Sequence, residues 1–236
     1  MKKNDINMCE GPLLGNILRY TVPIILTSVL QLLFNAADLI VVGRFCGSAS
    51  VAAVGATGSL TQLMVNFFVG LSVGAGVVVA QELGAGHGEK VSGAIHTAIP
   101  VAFICGVFLT VVGIAYSPTM LGWMGTPADV IDASSVYMRL YFAGMAPSMV
   151  YNFGAAILRA AGDTRGPLWY LTAAGVFNVL LNVILVVVFD MHVAGVALAT
   201  TMSQILAAAL TMRALWKRSD ACRFRLREVR IRRRML

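Results

Sequence analysis

Six long apolar runs follow one another along this chain, and they limit its fold more than any other feature of the sequence. The runs cover residues 17–42, 54–80, 93–116, 135–158, 168–189 and 193–215. Each is long enough to be a transmembrane helix, which needs about 20 predominantly apolar residues. The sequence lacks the long stretches of alternating polarity that the strands of a membrane barrel require. We therefore predict an all-α membrane protein in which six transmembrane helices form one bundle.

The charged residues are few and unevenly placed, which also indicates a membrane protein. Only 12% of the 236 residues are charged, against roughly 25% in a soluble domain. Of the 18 basic and 11 acidic residues, twelve lie from Arg213 onward, and the rest are too few to solvate a globular surface. The chain therefore divides into an N-terminal segment (1–16), a six-span bundle (17–215) and a basic tail (216–236).

The basic residues predict how the bundle is oriented. In an alternating topology most of them fall on the side that holds both termini: Lys2, Lys3, Arg19, Lys90, Arg159, Arg165 and those of the tail. Only Arg44 and Arg139 fall near the other side. Because cytoplasmic loops carry the excess of Lys and Arg, we expect a multi-pass protein of the cell membrane with both termini in the cytoplasm. A basic cluster directly after a last span is typical of an anchor to membrane lipid, so we expect no nucleic-acid partner.

Nothing in the sequence predicts an enzyme. The four cysteines are far apart and form no CxxC pair, and the three histidines show no ligand spacing. We therefore expect no cofactor, no catalytic residue and no metal site, apart from a Na⁺ site at Asp38 that the following observations suggest.

Polar side chains recur on one face of most predicted spans. Gln31, Asn35 and Asp38 lie at i, i+4 and i+7, which is one face of a helix. The other spans offer Gln62 with Asn66, Ser148 with Asn152, Asn178 with Asn182, and Thr200 with Gln204. An Asp at the centre of a membrane helix costs about 2.5–3.5 kcal/mol, so polar groups in spans normally face protein or water.

Four of these side chains are expected at a similar depth. Counted at about 1.5 Å per residue from the ends of their spans, Asp38, Asn178, Asn182 and Thr200 all lie in the outer half of the membrane. One carboxylate ringed by amide and hydroxyl oxygens suits a small hard cation or a proton. The alternative is that Asp38 lies at a hydrated helix end and that the asparagines join helices by hydrogen bonds.

Several short motifs, in order over all six spans, resemble those of one transporter family. They are Tyr20-Thr-Val-Pro23, Asp38-Leu-Ile-Val-Val-Gly-Arg44, Val51-Ala-Ala-Val-Gly55, Gly74-Ala-Gly76, Gln81-Glu-Leu-Gly-Ala-Gly86, Tyr137-Met-Arg139 and Leu158-Arg-Ala-Ala-Gly-Asp-Thr-Arg165. From about Leu13 to its end, the chain resembles the amino-terminal lobe of a multidrug and toxic compound extrusion (MATE) transporter. The resemblance implies that the six helices form one lobe of a two-lobe transporter.

The resemblance also implies a function, that of a Na⁺- or H⁺-coupled antiporter that exports amphipathic, often cationic compounds by alternating access. Asp38, Asn178 and Thr200 match the residues that hold Na⁺ or exchange protons in such transporters. Asn182 stands where some members carry an Asp, and this missing charge leaves the coupling ion open. The remaining polar residues are expected to line the substrate cavity: Gln31, Asn35, Gln62, Asn66, Asn152 and Gln204.

Members of this family have two six-span lobes with the cavity between them, whereas this chain ends about where a seventh span would follow. We expect a fragment that a second lobe completes, rather than a half-transporter that works as a homodimer. Two rival functions are a lipid-linked oligosaccharide flippase of the same fold and a non-transporting truncated membrane protein. A flippase needs many basic residues in its cavity for pyrophosphate, and the spans here contain almost none.

Overall fold

The computed structural model describes residues 13–127 and 130–225, which form a bundle of α-helices without a β-strand. The α-helices are α1 (Leu13–Val41), α2 (Ser48–Gly84), α3 (Gly88–Trp123), α4 (Ile131–Ala143), α5 (Met145–Ala160), α6 (Arg165–Val183) and α7 (His192–Trp216). Two short π-helices, π1 (Val42–Cys46) and π2 (Ile184–Val188), extend α1 and α6. The prediction of an all-α fold is confirmed. Lys2, Lys3 and the tail beyond residue 225 lie outside the described residues.

Five helices of the described chain are long and apolar enough to cross a membrane, so the chain is a multi-pass membrane protein. They cover Leu14–Cys46, Thr61–Gly84, Gly88–Trp123, Arg165–Val188 and His192–Trp216. The run 135–158, predicted as one continuous span, is divided between α4 and α5 at Gly144. With 13 and 16 residues, neither helix reaches the length of about 20 residues that a span needs alone. The prediction of six uninterrupted helices is therefore wrong at the fourth.

Pro147 contributes to the interruption of the fourth span. A proline inside a helix cannot donate to the carbonyl four residues earlier, and its ring clashes with that carbonyl, which here belongs to the last residue of α4. Carbonyl groups beside the break accept hydrogen bonds from hydroxyl groups on other helices. Thr201 of α7 donates to the carbonyl of Leu140 at 2.8 Å, and Thr110 of α3 donates to that of Phe142 at 2.8 Å. Such hydroxyl donors are what allow a helix to break inside a membrane.

Three of the helices end in the same glycine-dependent turn. After α5, the N–H of Gly162 donates to Arg159 O at 2.9 Å, and the N–H of Asp163 donates to Leu158 O at 2.9 Å. Gly162 has a φ of 86°, a left-handed conformation that glycine adopts without a steric penalty. The Oδ1 of Asp163 then accepts from the N–H of Gly166 at 2.8 Å, which caps the start of α6. The same type of turn ends α2 at Gly86 and α3 at Gly125.

The helices extend further than the apolar runs that predict them. The second and third apolar runs cover 54–80 and 93–116, but α2 continues to Gly84, α3 begins at Gly88, and α3 continues to Trp123. Polar residues such as Gln and Glu are good helix formers, so a helix continues beyond its apolar run until a glycine turn stops it.

Close contacts between the helices depend on small residues. At Gly106 of α3, an added Cβ would lie 2.5 Å from the Cα of Ala146 in α5. At Gly113 of α3 it would fall within the ring of Phe142 in α4. Small residues let helix backbones approach closely where lipid provides no hydrophobic drive between helices. As a result α5 packs against α2, α3 and α7, whereas α1 rests mainly on α6.

Residues 217–225, here called the closing segment, fold back over the end of the bundle. The Phe224 ring is 3% exposed and stacks on His96 of α3, with ring centroids 5.2 Å apart. The N–H of Arg225 donates to Nε2 of His96 at 2.9 Å. Phe224 and Cys222 belong to the same apolar core as Ile95 of α3. This part of the predicted tail is therefore packed into the bundle.

The closing segment contains an ion pair between a buried arginine and a half-buried aspartate. The Arg218 side chain, 2% exposed, binds the carboxylate of Asp220 through Nη2 at 2.7 Å and through Nε at 3.0 Å. Burial acts to raise the pKa of Asp220, but the hydrogen bonds and the charge of Arg218 outweigh burial and hold that pKa below its ordinary value. The turn is therefore stabilised by the ionised carboxylate.

Candidate functional site

Asp38 of α1 lies against two asparagines of α6 and a threonine of α7. Nδ2 of Asn182 donates to Oδ1 of Asp38 at 2.5 Å, and Oγ1 of Thr200 lies 3.4 Å from Oδ2. The amide of Asn178, one turn before Asn182, lies 3.3 Å from Nδ2 of Asn182. The structure thus brings together all four side chains that the sequence predicts at a cation site. We call them the Asp38 cluster.

The amide of Asn178 is also directed at the carboxylate. In the orientation that satisfies both ends of this amide, its Nδ2 donates to Oδ1 of Asp38 at 2.8 Å, and its Oδ1 accepts from the N–H of Thr200 at 3.3 Å. The ionised carboxylate therefore faces N–H groups of both asparagines, and a rotated amide would present its oxygen to a cation.

Asn182 carries an unsatisfied oxygen at the centre of the cluster. The side chain is fully buried, at 0% exposure, and its Oδ1 has no hydrogen-bond partner among the described residues. Leaving a buried acceptor unpaired costs about 1–3 kcal/mol. Both α1 and α6 also pass into a π-helix close to the cluster, since π1 begins at Val42 and π2 begins at Ile184. π-Helical turns occur frequently at functional sites.

A cavity of about 460 Å³ opens beside the Asp38 cluster. All of the predicted cavity residues line it, namely Gln31, Asn35, Gln62, Asn66, Asn152 and Gln204, together with Asp38, Asn178 and Thr200. Asn182 lies behind this lining. Within the described chain, Asp38 is the one charged side chain that faces the cavity.

The cavity wall also has an aromatic part that was not predicted from the sequence, and it consists of Phe34, Tyr141 and Tyr151. Tyr151 follows Ser148 by about one turn within α5, so the helical repeat contained this signal for Tyr151. Tyr141 lies on the other side of the break at Gly144. The ring of Tyr137 stacks on that of Tyr141, with centroids 6.1 Å apart. A wall that combines aromatic rings with one carboxylate can contact both the apolar body and the positive charge of an amphipathic cation.

In the parts of the chain that the structure describes, no three His, Cys, Asp or Glu side chains lie close enough to share a metal ion. A cation at Asp38 would therefore depend on amide and hydroxyl oxygens for its remaining ligands.

A multi-pass helical bundle with a polar cavity and a carboxylate at membrane depth has the architecture of a lobe of a secondary transporter. The MatE family model matches residues 23–184, and the chain belongs to this family. This confirms the resemblance to MATE transporters that the motifs carry.

Two curated relatives come from Bacillus subtilis (strain 168). The chain is 32% identical over 209 residues to "Probable multidrug resistance protein YoeA", a match that covers 87% of this chain and 45% of that protein. It is 26% identical over 204 residues to "Probable multidrug resistance protein YpnP", which covers 86% of this chain and 45% of that protein. The chain thus spans about half the length of the curated relatives it matches.

Solved structures show the same relationship. The fold matches a "Crystal structure of MATE in the bent conformation" with a TM-score of 0.86 and 25% identity, over 93% of this chain and 49% of the other. The described bundle therefore has the fold of one half of such a transporter.

Proposed function

We propose that the chain forms one lobe of a cation-coupled antiporter that exports amphipathic, often cationic compounds, and that the Asp38 cluster holds the coupling cation. The observation that carries this proposal is the position of Asp38, which faces the cavity and contacts Asn182, whose buried Oδ1 lacks a partner among the described residues. The lobe is expected in the cell membrane with both ends in the cytoplasm, and a second lobe would complete the cavity.

The donor set supports a small hard cation or a proton as the coupling ion. Carboxylate, amide and hydroxyl oxygens are ligands that such cations prefer. Na⁺ would be held by the carboxylate of Asp38, the oxygens of Asn178 and Asn182, and the hydroxyl of Thr200. A proton would need only the carboxylate. In both cases the charge of Asp38 is neutralised, so the same residue would couple either ion.

The cavity supports a cationic rather than an anionic substrate. Its volume of about 460 Å³ falls within the range of small-molecule sites. Because Asp38 is the one charged group on the described lining, a positively charged compound and the coupling ion would compete for it. Such competition would produce antiport, since binding of one cation releases the other. Neither Lys nor Arg belongs to the described lining, which disfavours a flippase for pyrophosphate-linked sugars.

The direct test is cation binding by the chain in lipid nanodiscs, with Asp38→Asn as the key variant. We expect Na⁺, compared with K⁺, to raise the thermal stability of the wild-type chain, and acid pH to weaken this effect because protons occupy the same carboxylate. A ligand at about 100 times its Kd stabilises a fold by about 2.7 kcal/mol, which is readily measured. Asp132→Asn, at an exposed position of α4, makes the same change of charge as a control.

Transport tests the second half of the proposal. The chain is reconstituted in liposomes with a second six-span lobe, and efflux of tetraphenylphosphonium is measured under a Na⁺ or pH gradient. We expect Asp38→Asn to insert normally and to lose gradient-driven efflux, and Asp132→Asn to keep it. Efflux by Asp38→Asn at the wild-type rate would refute the coupling role of Asp38.

A further inference from the structure

The contact between α1 and α6 has an aromatic ring at its centre. Gly175 of α6 faces Phe34 of α1 so closely that a Cβ added to the glycine would fall within the phenyl ring. The ring therefore lies directly on the backbone of α6. Phe34 precedes Asp38 by one helical turn, and Gly175 precedes Asn178 by three residues and Asn182 by seven, so these residues share the same faces of their helices.

α1 and α6 run parallel, and their other contacts lie on the same helix faces as Phe34 and Gly175. On one side of Phe34, Leu30 packs against the cluster that contains Leu171 and Ala174. On the other side, Val41 packs in the cluster that contains Val186. These contacts join side chains, which can adjust by rotation. Phe34 on Gly175 joins a rigid ring to a backbone, so it tolerates little change in the spacing of the two helices.

α1 depends on this contact for its position. Among the α-helices, α1 makes its extensive contacts with α6, and its large side chains such as Leu32 and Ile40 are 69% exposed. We propose that Phe34 is a positioning residue, whose ring on Gly175 sets the separation between α1 and α6 and thereby the distance from Asp38 to Asn178 and Asn182. The consequence for cation binding rests on the proposed function.

Phe34 also lines the cavity. One side chain thus borders both the space expected for the substrate and the contact that positions Asp38. A change in the ring of Phe34 should therefore change the distances within the Asp38 cluster, one turn away.

The test adds a Cβ at position 175 and then makes room for it with a smaller side chain at position 34. Gly175→Ala should push the ring away from α6 and separate the helices. Gly175→Ala combined with Phe34→Leu should bring them back, because leucine is smaller than the ring. Gly74→Ala in α2, where an added Cβ would meet no described atom within 4 Å, is the matched control. Phe34→Leu alone completes the cycle of variants.

Two measurements are made on the full chain in nanodiscs. The first is the distance between spin labels at Ile40 and Val187, which are exposed positions of α1 and π2, after replacement of the native cysteines. The second is cation binding at Asp38, followed as Na⁺ affinity against K⁺ and as the pH titration of its carboxyl infrared band. We expect Gly175→Ala to lengthen the label distance by about 1–2 Å and to lower Na⁺ affinity by roughly tenfold or more. The double variant should recover both, and Gly74→Ala should change neither.

The outcomes separate this inference from the proposed function. If the wild-type chain binds cations but Gly175→Ala behaves like Gly74→Ala, or if Phe34→Leu does not rescue it, Phe34 has no positioning role and the inference falls alone. If the wild type binds neither Na⁺ nor a proton at Asp38, the proposed function falls. The label distance needs no cation, so it still decides whether the ring sets the helix separation.

Discussion

The side chains of Asp38 and Asn182 are joined by a hydrogen bond of 2.5 Å although they lie 144 positions apart in the sequence. The bond links α1 to α6 on the same seam as Phe34 and Gly175. At the proposed cation site, the carboxylate of Asp38 is therefore paired with the neutral amide of Asn182 and not with a second carboxylate.

Asn182→Asp should strengthen Na⁺ binding. The substitution sets a second carboxylate against the first, and the repulsion between them is relieved when a cation binds. We expect Na⁺ affinity to rise by roughly tenfold, or about 1.4 kcal/mol, as measured by calorimetry or by Na⁺-dependent thermal stability. Asn152→Asp adds the same charge to the cavity wall outside the cluster and should have a smaller effect. Equal affinities in Asn182→Asp and the wild type would argue against a cation site between these two residues.

Thr201→Val should destabilise the bundle at the break between α4 and α5. The variant keeps the shape of the side chain but removes the hydroxyl that donates to Leu140 O at 2.8 Å. We expect the free energy of unfolding in mild detergent to fall by about 1–3 kcal/mol, the cost of an unpaired buried carbonyl. Thr172→Val is the control, because its hydroxyl bonds Leu168 O within its own helix at 2.8 Å. A similar loss in both variants would show that the helix break does not depend on Thr201.

Gly113→Ala should destabilise the contact between α3 and α4, because the new methyl group would occupy the space of the Phe142 ring. Overpacking of this kind costs about 1–3 kcal/mol, measured as the free energy of unfolding. Gly122→Ala, in the same helix, meets no described atom within 4 Å and should be neutral or slightly stabilising. If the two variants are equally stable, the helices are not held at the distance described here.

Asp220→Asn should reveal a pH-dependent contribution from the closing segment. The pKa of Asp220 is lowered, so its ionised form stabilises the fold above the ordinary value of about 3.9, and this contribution disappears as the pH falls through the lowered pKa. We expect the variant to be less stable than the wild type by about 1–2 kcal/mol at pH 7. In chemical denaturation, the two proteins should become equally stable in acid. A difference that is constant with pH would contradict the role of the ion pair with Arg218.

The sequence predicted the apolar spans and their polar faces well because both depend on local spacing. The helical repeat is enough to align Gln31, Asn35 and Asp38, and all three line the cavity. Glycine at the ends of helices is also a local signal, which is why the turn at Gly162 falls in a predicted connection. The cytoplasmic location of the two chain termini and the coupling role of Asp38 stay predictions.

Other features could not be predicted because they depend on partners that are distant in the sequence. The run 135–158 is apolar enough to be one helix, and prolines lie inside the continuous helices α1 and α3, so Pro147 alone does not predict a break. Thr110 and Thr201, which bind the carbonyls beside the break, belong to helices that are distant in the sequence. The close contact of Phe34 with Gly175 likewise requires the register between two helices. Hydropathy does not predict the packing of Phe224 on His96, because a basic segment after a last span resembles a solvated tail.

The closing segment has a consequence for the synthesis of this protein. Cys222 and Phe224 complete a core to which α2, α3, α5 and α7 all contribute, as Val79, Ile95, Phe153 and Leu215 show. A ribosome makes these two residues after every helix of the bundle. The bundle therefore cannot reach its final packing while α7 is entering the membrane, and the order of translation makes its closure a late event.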